Sequence, residues 1–238
     1  MNGFLVHSDV RASLSLGRQP SSLPNTKETI IENSLSFFRE ASEGREVLLP
    51  AFNYDFTTSA HFDVESDTAQ VGAIPEFARS KLRWHRNSTP VFSFLSEKTL
   101  LPPDNFPFSE GSVLSSLRGG GQILLFGVGF ERLTFLHVAE TEACVPYRYK
   151  KRFEGTVKKN GGEIQQVFVE FHVRPATLGV EYDFSQIGKF LLEEKAAVKK
   201  GSFSILVDAR KADQVFREKY AEDELFGLTQ ATREKVKA

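Results

Sequence analysis

Cysteine is nearly absent from this sequence of 238 residues, and methionine and tryptophan also occur once each. The single cysteine, Cys144, cannot form an internal disulfide, and we interpret it as a core residue. No group of cysteines and histidines stands at the spacing of a zinc finger. The sequence therefore excludes a disulfide-stapled scaffold, and we expect no metal site.

Long apolar runs are missing as well. No stretch of 18 apolar residues occurs, and the first ten residues lack a basic segment followed by an apolar one. We therefore expect neither a membrane span nor a signal peptide, and we expect a cytoplasmic protein.

An excess of charge of one sign is also missing, because 30 Lys and Arg stand against 31 Asp and Glu, a formal net charge of -1. Balanced charge gives no reason to expect nucleic acid or an anionic membrane as a partner. A hydrophobic fraction of 40% is typical of a globular protein with a sizeable core. The sequence leaves open whether that protein is a homo-oligomer.

The first 50 residues predict a strand, a helix and a second strand. Residues 4–6 are an apolar run that ends in a polar trio, Asn25 begins a helix-capping signature, and residues 46–49 are the next apolar run. This order is typical of a βαβ unit, which implies a parallel pair of strands.

Antiparallel strands are predicted after this parallel core. Asn160-Gly161-Gly162 is a strong hairpin signal between residues 147–157 and 163–173. We therefore predict an α/β fold with a single mixed parallel and antiparallel sheet flanked by helices. It forms one domain over residues 1–238, with substrate loops at about 51–110 and the hairpin at about 147–173.

His137 and Glu140 are the first candidates for chemistry. They are three residues apart on a helix predicted over residues 135–143, so both project to one side. The positive end of the helix dipole disfavours the imidazolium, which leaves a neutral histidine available as a base. A surface ion pair is the alternative interpretation.

Glu170 is a second carboxylate that could orient His137. Strand alternation over residues 167–173 places Phe168, Glu170 and His172 on one face. An exposed polar sheet face explains the same pattern, so both interpretations stay open.

Two other patterns carry less information. Gly127-Val128-Gly129 lacks the third glycine of a dinucleotide-binding loop. Asp63, Glu65 and Asp67 form an acidic cluster without the spacing of a calcium loop, so we interpret it as a solvated loop or a contact for a cationic substrate.

Several ordered stretches are similar to the motifs of one enzyme family. VHSD at 6–9, LLPAF at 48–52 and RNSTPVFS at 86–93 look like its V-H-S-S, M-P-A-F and R-S-x-H-P-x-x-S segments. The most specific block is LLFGVG at 124–129, followed by TFLHVAE at 134–140 and then VPYR. In order and spacing the chain resembles the aminoglycoside 3-N-acetyltransferase family.

The resemblance implies an antibiotic-acetyltransferase-like fold and an acyl-CoA-dependent N-acyltransferase that acylates a primary amine of an amino sugar. It implies that the amine attacks the thioester directly and that His137 is the general base. Glu170 would orient the imidazole, with Glu140 as the less favoured option. Such a base is needed because an ammonium must lose a proton before its nitrogen attacks a thioester. Backbone N–H groups would stabilise the oxyanion.

The resemblance also implies a site for the acyl-CoA donor. Its expected residues are His7, Ser8, Asp9, Arg86 and Ser93. The family motif has a histidine before the proline, whereas this chain has Thr89 before Pro90. A second family histidine is replaced by Phe92. These departures suggest a different acceptor or a different acyl group.

Two acceptors stay open. Aminoglycosides carry several positive charges, and Asp55, Asp63 and Asp67 would form an acidic wall for such a molecule. The basic stretch at 150–152 would instead hold the diphosphate of a nucleotide-linked amino sugar, as used in surface polysaccharide biosynthesis.

Two rival functions belong to other classes. One is a non-catalytic relative that binds coenzyme A or a sugar without turnover. The other is a hydrolase with Ser8 or Ser112 as nucleophile, against which stands the absence of a G-x-S-x-G elbow.

Phenylalanine is strongly enriched, with 22 Phe against 5 Tyr. Eight of these phenylalanines lie in loop-rich segments, where we expect them to line the site: Phe52, Phe56, Phe62, Phe92, Phe94, Phe106, Phe108 and Phe130. Such a lining suits a pantetheine arm and an acyl group larger than acetyl.

Overall fold

The large sheet has seven strands in this computed structural model, which describes residues 2–16 and 26–237. In spatial order its strands are β4 (His85–Arg86), β5 (Phe94–Ser96), β2 (Glu46–Pro50), β1 (Gly3–Ser8), β6 (Gln122–Phe126), β10 (Ser204–Asp208) and β9 (Ala197–Lys200). β1 pairs in parallel with both β2 and β6, whereas the other pairs are antiparallel. The predicted mixed sheet and its parallel β1–β2 pair are confirmed.

Burial explains why β1 lies in the middle of this sheet. Its Phe4, Leu5 and Val6 side chains are completely buried, and successive side chains of a strand point to opposite faces. Apolar cover on both faces is typical of parallel strands in α/β proteins. Because β2, β1 and β6 are adjacent and parallel, their carboxyl ends open at one edge of the sheet.

Helices cover both faces of the large sheet. They are α1 (Lys27–Ala41), α2 (Phe56–Ser59), α3 (Ala73–Ser80), α4 (Val113–Ser116), α5 (Leu136–Glu142), α6 (Phe184–Glu193), α7 (Ala209–Glu222) and α8 (Gln230–Lys237). The hydroxyl of Thr26 accepts a hydrogen bond from the Thr29 N–H and so caps α1. Asn25, the predicted capping residue, lies outside the described residues.

A second, three-stranded sheet holds the predicted hairpin. It consists of β3 (His61–Asp63), β7 (Tyr149–Lys158) and β8 (Ile164–Val173). The antiparallel pairing of β7 with β8 is confirmed. The hairpin lies in this smaller sheet beside the predicted mixed sheet, and there β7 also pairs in parallel with β3. Gly155 permits this pairing, since a Cβ at that position would collide with the carbonyl of Ala60.

The loop phenylalanines form part of the core. Six of the eight are buried, namely Phe52, Phe56, Phe62, Phe92, Phe94 and Phe108. The Phe92 ring meets those of Phe52, Phe108 and Phe171 edge to face, with centroids 5.1, 4.7 and 4.9 Å apart. These rings bury one another, which is the favoured use of large apolar side chains. By contrast, Cys144, which we expected in the core, is exposed.

Two searches of the described ranges, 2–16 and 26–237, are negative. No helix there is long and apolar enough to cross a membrane. No group of three or more His, Cys, Asp or Glu side chains there could hold a metal ion.

Candidate active site

A cavity of about 650 Å³ lies at the carboxyl ends of the parallel strands. Its lining includes His7 and Ser8 at the end of β1, Pro50 at the end of β2, and Thr134 and His137 beyond β6. Ligands of α/β sheets commonly bind at this edge, where loops follow the strands.

The register of β1 and β6 brings these residues together. Ser8 lies opposite Phe126, and the chain then turns at Gly127, whose φ is +69°. A Cβ at Gly127 would collide with the side chain of Ala12, so glycine is required both for the turn and for the close approach. A short 3-10 helix, Phe130–Arg132, then leads into α5.

His137 and Glu140 lie in contact on one side of α5. The Nδ1 atom of His137 is 2.6 Å from Oε2 of Glu140. The Glu140 side chain is completely buried, whereas that of His137 is 28% exposed and borders the cavity. An ionised carboxylate can only accept, so Nδ1 carries the proton and Nε2 is left as the basic nitrogen.

Three further side chains surround the Glu140 carboxylate. The hydroxyls of Tyr182 and Tyr147 donate to its Oε1 over 2.5 and 3.0 Å. Nε of Arg148 lies 3.0 Å from Oε2, and another nitrogen of that guanidinium lies 3.1 Å from Nδ1 of His137. This network fixes the carboxylate and, through it, the imidazole ring.

The electrostatics of the network keep the histidine neutral. Burial and the nearby Arg148 lower the pKa of His137, and they outweigh the opposite effect of Glu140. Burial alone would raise the pKa of Glu140, but its contacts with His137, Arg148 and Tyr182 lower it to about 2. The pair therefore consists of a neutral imidazole and an ionised carboxylate near pH 7, which suits a general base.

Glu140, and not Glu170, is the carboxylate beside His137. Glu170 lies on β8, where its Oε2 is 3.2 Å from Nε of Arg152. The Glu170 carboxylate pairs with Arg152, whereas Nδ1 of His137 contacts Glu140. The expectation that Glu170 orients the histidine therefore disagrees with the structure.

Three of the five expected donor-site residues border the cavity: His7, Ser8 and Asp9. Nε2 of His7 lies 3.1 Å from the hydroxyl of Thr134. Burial, together with the charge of Arg132, lowers the pKa of His7 to about 3, so this ring is neutral. The Ser8 hydroxyl is buried and has no hydrogen-bond partner among the described residues.

Arg86 and Ser93, the other two, are structural groups away from this cavity. The Arg86 guanidinium donates to the Ser93 hydroxyl over 2.9 Å and to the carbonyls of Ala51 and Asp67 over 2.6 and 2.5 Å. Ser93 itself donates to the Ala51 carbonyl. These contacts compensate a buried cation and hold it outside the lining of the cavity beside His137, so the expected donor-site role of Arg86 and Ser93 finds no support in that lining.

The predicted acidic wall of Asp55, Asp63 and Asp67 is also absent from the cavity lining. Asp63 binds Nζ of Lys158 over 2.9 Å and accepts the N–H of Glu65, while Asp67 accepts the N–H of Asp63. Two of these carboxylates therefore stabilise their own loop. Asp55 is exposed at the start of α2.

The structure adds residues that the sequence reasoning did not select. Arg148 belongs to the VPYR stretch, so a motif signal existed, but nothing indicated its contact with Glu140. Tyr182 comes from a segment 42 residues beyond Glu140 in the chain, and no local pattern connects the two. Arg132 also borders the cavity, but it is exposed, and nothing in the sequence distinguishes it from other surface arginines.

A family profile described as aminoglycoside 3-N-acetyltransferase matches residues 39–219. A comparison with curated protein sequences finds no match.

Several solved structures share the fold. AAC-IIIb in a binary complex with CoASH is 23% identical, with a TM-score of 0.71 over 95% of this chain and 91% of that one. A variant of AAC(3)-IVa in complex with apramycin is 21% identical, with a TM-score of 0.69 over 94% and 86%. The YokD protein of Bacillus subtilis is 16% identical, with a TM-score of 0.68 over 95% and 89%. The predicted antibiotic-acetyltransferase-like fold is confirmed.

Proposed function

Because the chain belongs to the aminoglycoside 3-N-acetyltransferase family and is an N-acyltransferase enzyme, we propose that it transfers an acetyl group from acetyl-CoA to a primary amine of an amino sugar. The similar structures supply the two ligand classes: one is a complex with CoASH and another is a complex with apramycin. The observation that carries the proposal is the contact of His137 with Glu140 at the edge of the cavity.

The reaction is a direct transfer with His137 as general base. The amine nitrogen attacks the thioester carbonyl carbon while Nε2 of His137 takes a proton from that nitrogen. The carbonyl electron pair moves to oxygen, and its return breaks the bond between carbon and sulfur. The departing thiolate of coenzyme A takes the proton back from the imidazolium, so the base is regenerated.

Glu140 acts on this reaction through His137. Its carboxylate holds the proton on Nδ1 and stabilises the imidazolium that forms during the attack. The cavity also offers Ser8, whose hydroxyl lacks a partner among the described residues and is free to donate to the thioester oxygen. Backbone N–H groups remain the other source of oxyanion stabilisation.

Most of the expected phenylalanine lining is missing from this cavity, so the lining gives no support for an acyl group longer than acetyl. The longer chain was expected because many phenylalanines would line the site, but of those eight residues only Phe52 borders the cavity. The others pack mainly against one another or elsewhere, so they provide no acyl pocket there. The proposal therefore names acetyl-CoA as the donor.

Thiol release from acetyl-CoA tests this function. The protein is incubated with acetyl-CoA and a panel of amino sugars and aminoglycosides, and free coenzyme A is followed with a thiol reagent. Since Cys144 is an exposed thiol, the Cys144→Ser variant serves as the working enzyme to remove its background signal. Release that depends on an acceptor supports the proposal; binding of coenzyme A without release from any acceptor indicates a non-catalytic relative.

A further inference from the structure

The charges around the cavity indicate which acceptors it suits, an inference that rests on the proposed function. Within the described part of the chain, four acidic or basic side chains border the cavity: Asp9, Arg11, Glu131 and Arg132. Their formal charges cancel. A wall of carboxylates for a molecule with several ammonium groups is therefore missing from this lining.

Asp9 and Arg11 neutralise each other. The Arg11 guanidinium donates to both Asp9 oxygens over 2.5 to 3.1 Å, and the Arg11 N–H donates to Oδ1 over 2.9 Å. A carboxylate held in this way has little capacity left for an ammonium. This pair contributes no net charge to the recognition of a ligand.

Glu131 and Arg132 are the remaining charges, one of each sign. Glu131 accepts the Gly129 N–H over 2.9 Å but forms no ion pair with any residue in the described ranges. The Arg132 guanidinium likewise makes no hydrogen bond or ion pair with a residue in those ranges, and its charge acts on Asp9, Tyr54 and His7. Among the described residues, the cavity thus offers one carboxylate and one guanidinium without an ion-pair partner, on neighbouring positions.

Arg132 is close enough to act on the other cavity groups. Its charge contributes, after burial, to the low pKa of His7, which lies beside Thr134 at the centre of the site. A guanidinium presents several N–H donors in a plane, and this arrangement matches the oxygens of a phosphate group. A phosphate would give Arg132 a partner that no group among the described residues provides.

We propose that the acceptor is an amino sugar with a single primary amine and a phosphate group, and that Arg132 binds this phosphate. Glu131 supplies the one carboxylate that a single ammonium needs on entry. A polycationic aminoglycoside would bring several ammonium groups to a lining with one unpaired carboxylate, and it would repel Arg132.

The test compares acceptors that differ in the phosphate. Glucosamine, glucosamine 1-phosphate and glucosamine 6-phosphate are assayed at saturating acetyl-CoA, with apramycin as the polycation. We expect kcat/KM for at least one phosphorylated sugar to exceed that for glucosamine and for apramycin by about tenfold or more, the effect of one charge-assisted hydrogen bond. Arg132→Gln should lower kcat/KM for the phosphorylated sugar by about tenfold or more and so abolish this preference, because the phosphate loses one charge-assisted hydrogen-bond partner.

Arg210→Gln is the matched control, because Arg210 is an exposed arginine on α7 outside the cavity lining. It should keep the full preference. Equal values for phosphorylated and plain glucosamine, or a preference for apramycin, would overturn the proposal. So would an Arg132→Gln effect confined to the KM of acetyl-CoA, which would assign the guanidinium to the phosphates of the donor.

Calorimetry separates this inference from the proposed function. In the His137→Ala variant, titration with the two glucosamine phosphates measures binding without turnover. Phosphate-dependent binding that disappears with Arg132→Gln supports the inference even if no acceptor is acetylated. Acetylation of glucosamine or apramycin without any phosphate-dependent binding refutes the inference and leaves the acetyltransferase function standing.

Discussion

Replacement of Glu140 by glutamine should damage both the fold and the reaction. Glu140 is completely buried and accepts from Tyr147, Tyr182 and His137, and it balances the charge of Arg148. An amide has one accepting oxygen and no charge, so Arg148, whose side chain is only 7% exposed, loses its counter-ion.

Removing one member of a buried ion pair costs about 3–5 kcal/mol. For a chain of this size, that loss lowers the melting temperature by roughly 6 to 20 °C. The proton on Nδ1 of His137 is also no longer held by a carboxylate, so kcat should fall by about 10²- to 10⁴-fold, the contribution of a positioned base. Calorimetry and the thiol-release assay measure the two effects separately.

The double variant Glu140→Gln, Arg148→Met distinguishes stability from catalysis. It leaves no uncompensated buried charge, so most of the lost stability should return. The activity should stay low, since His137 still lacks its orienting carboxylate. A Glu140→Gln variant with the melting temperature and kcat of the unmodified protein, or a double variant with restored kcat, would refute this reasoning.

Three further predictions address neighbouring groups. Glu170→Gln should change the free energy of unfolding by less than about 1 kcal/mol, because its partner Arg152 is about half exposed. It should leave kcat unchanged, and a large loss of kcat would contradict the conclusion that Glu140 is the carboxylate that orients His137. Arg148→Met should move the acidic limb of the pH–kcat/KM profile to higher pH, because Arg148 lowers the pKa of His137, whereas Arg148→Lys should move it less; an unmoved limb in Arg148→Met would exclude this effect. His7 has a pKa of about 3 in the fold against 6.5 unfolded, so the unfolded state binds the extra proton between these values. As the pH falls from 6.5 to 4, the free energy of unfolding measured with urea should decrease more in the unmodified protein than in His7→Gln, by a difference that approaches 1.4 kcal/mol per pH unit. An equal pH dependence of the two proteins would contradict a buried neutral ring.

Local signals were sufficient for much of the fold. The apolar run before His7 and the next run at 46–49 predicted the parallel pair, and Asn160-Gly161-Gly162 predicted the β7–β8 hairpin. Each of these signals depends on residues close together in the chain. The strand β3, which pairs with the hairpin, is only three residues long and lies about 90 residues earlier in the chain. No local sequence pattern therefore predicts the second sheet.

The candidate site shows the same division. The spacing of His137 and Glu140 was informative because helix geometry alone brings them together. The role of Arg86 could not be predicted, because an arginine that donates to buried carbonyls and one that binds a ligand can stand in the same sequence motif. Tyr182 reaches Glu140 through tertiary packing only. Long-range contacts of this kind separate structural polar groups from functional ones.

The rate of acetyl transfer in His137→Ala tests the central claim most directly. The measurement is kcat for thiol release with an amino-sugar acceptor, with the melting temperature and the affinity for coenzyme A measured on the same sample. A general base at His137 predicts a fall in kcat of about 10²- to 10⁴-fold while coenzyme A still binds. A folded variant that releases thiol at the rate of the unmodified protein would contradict the account.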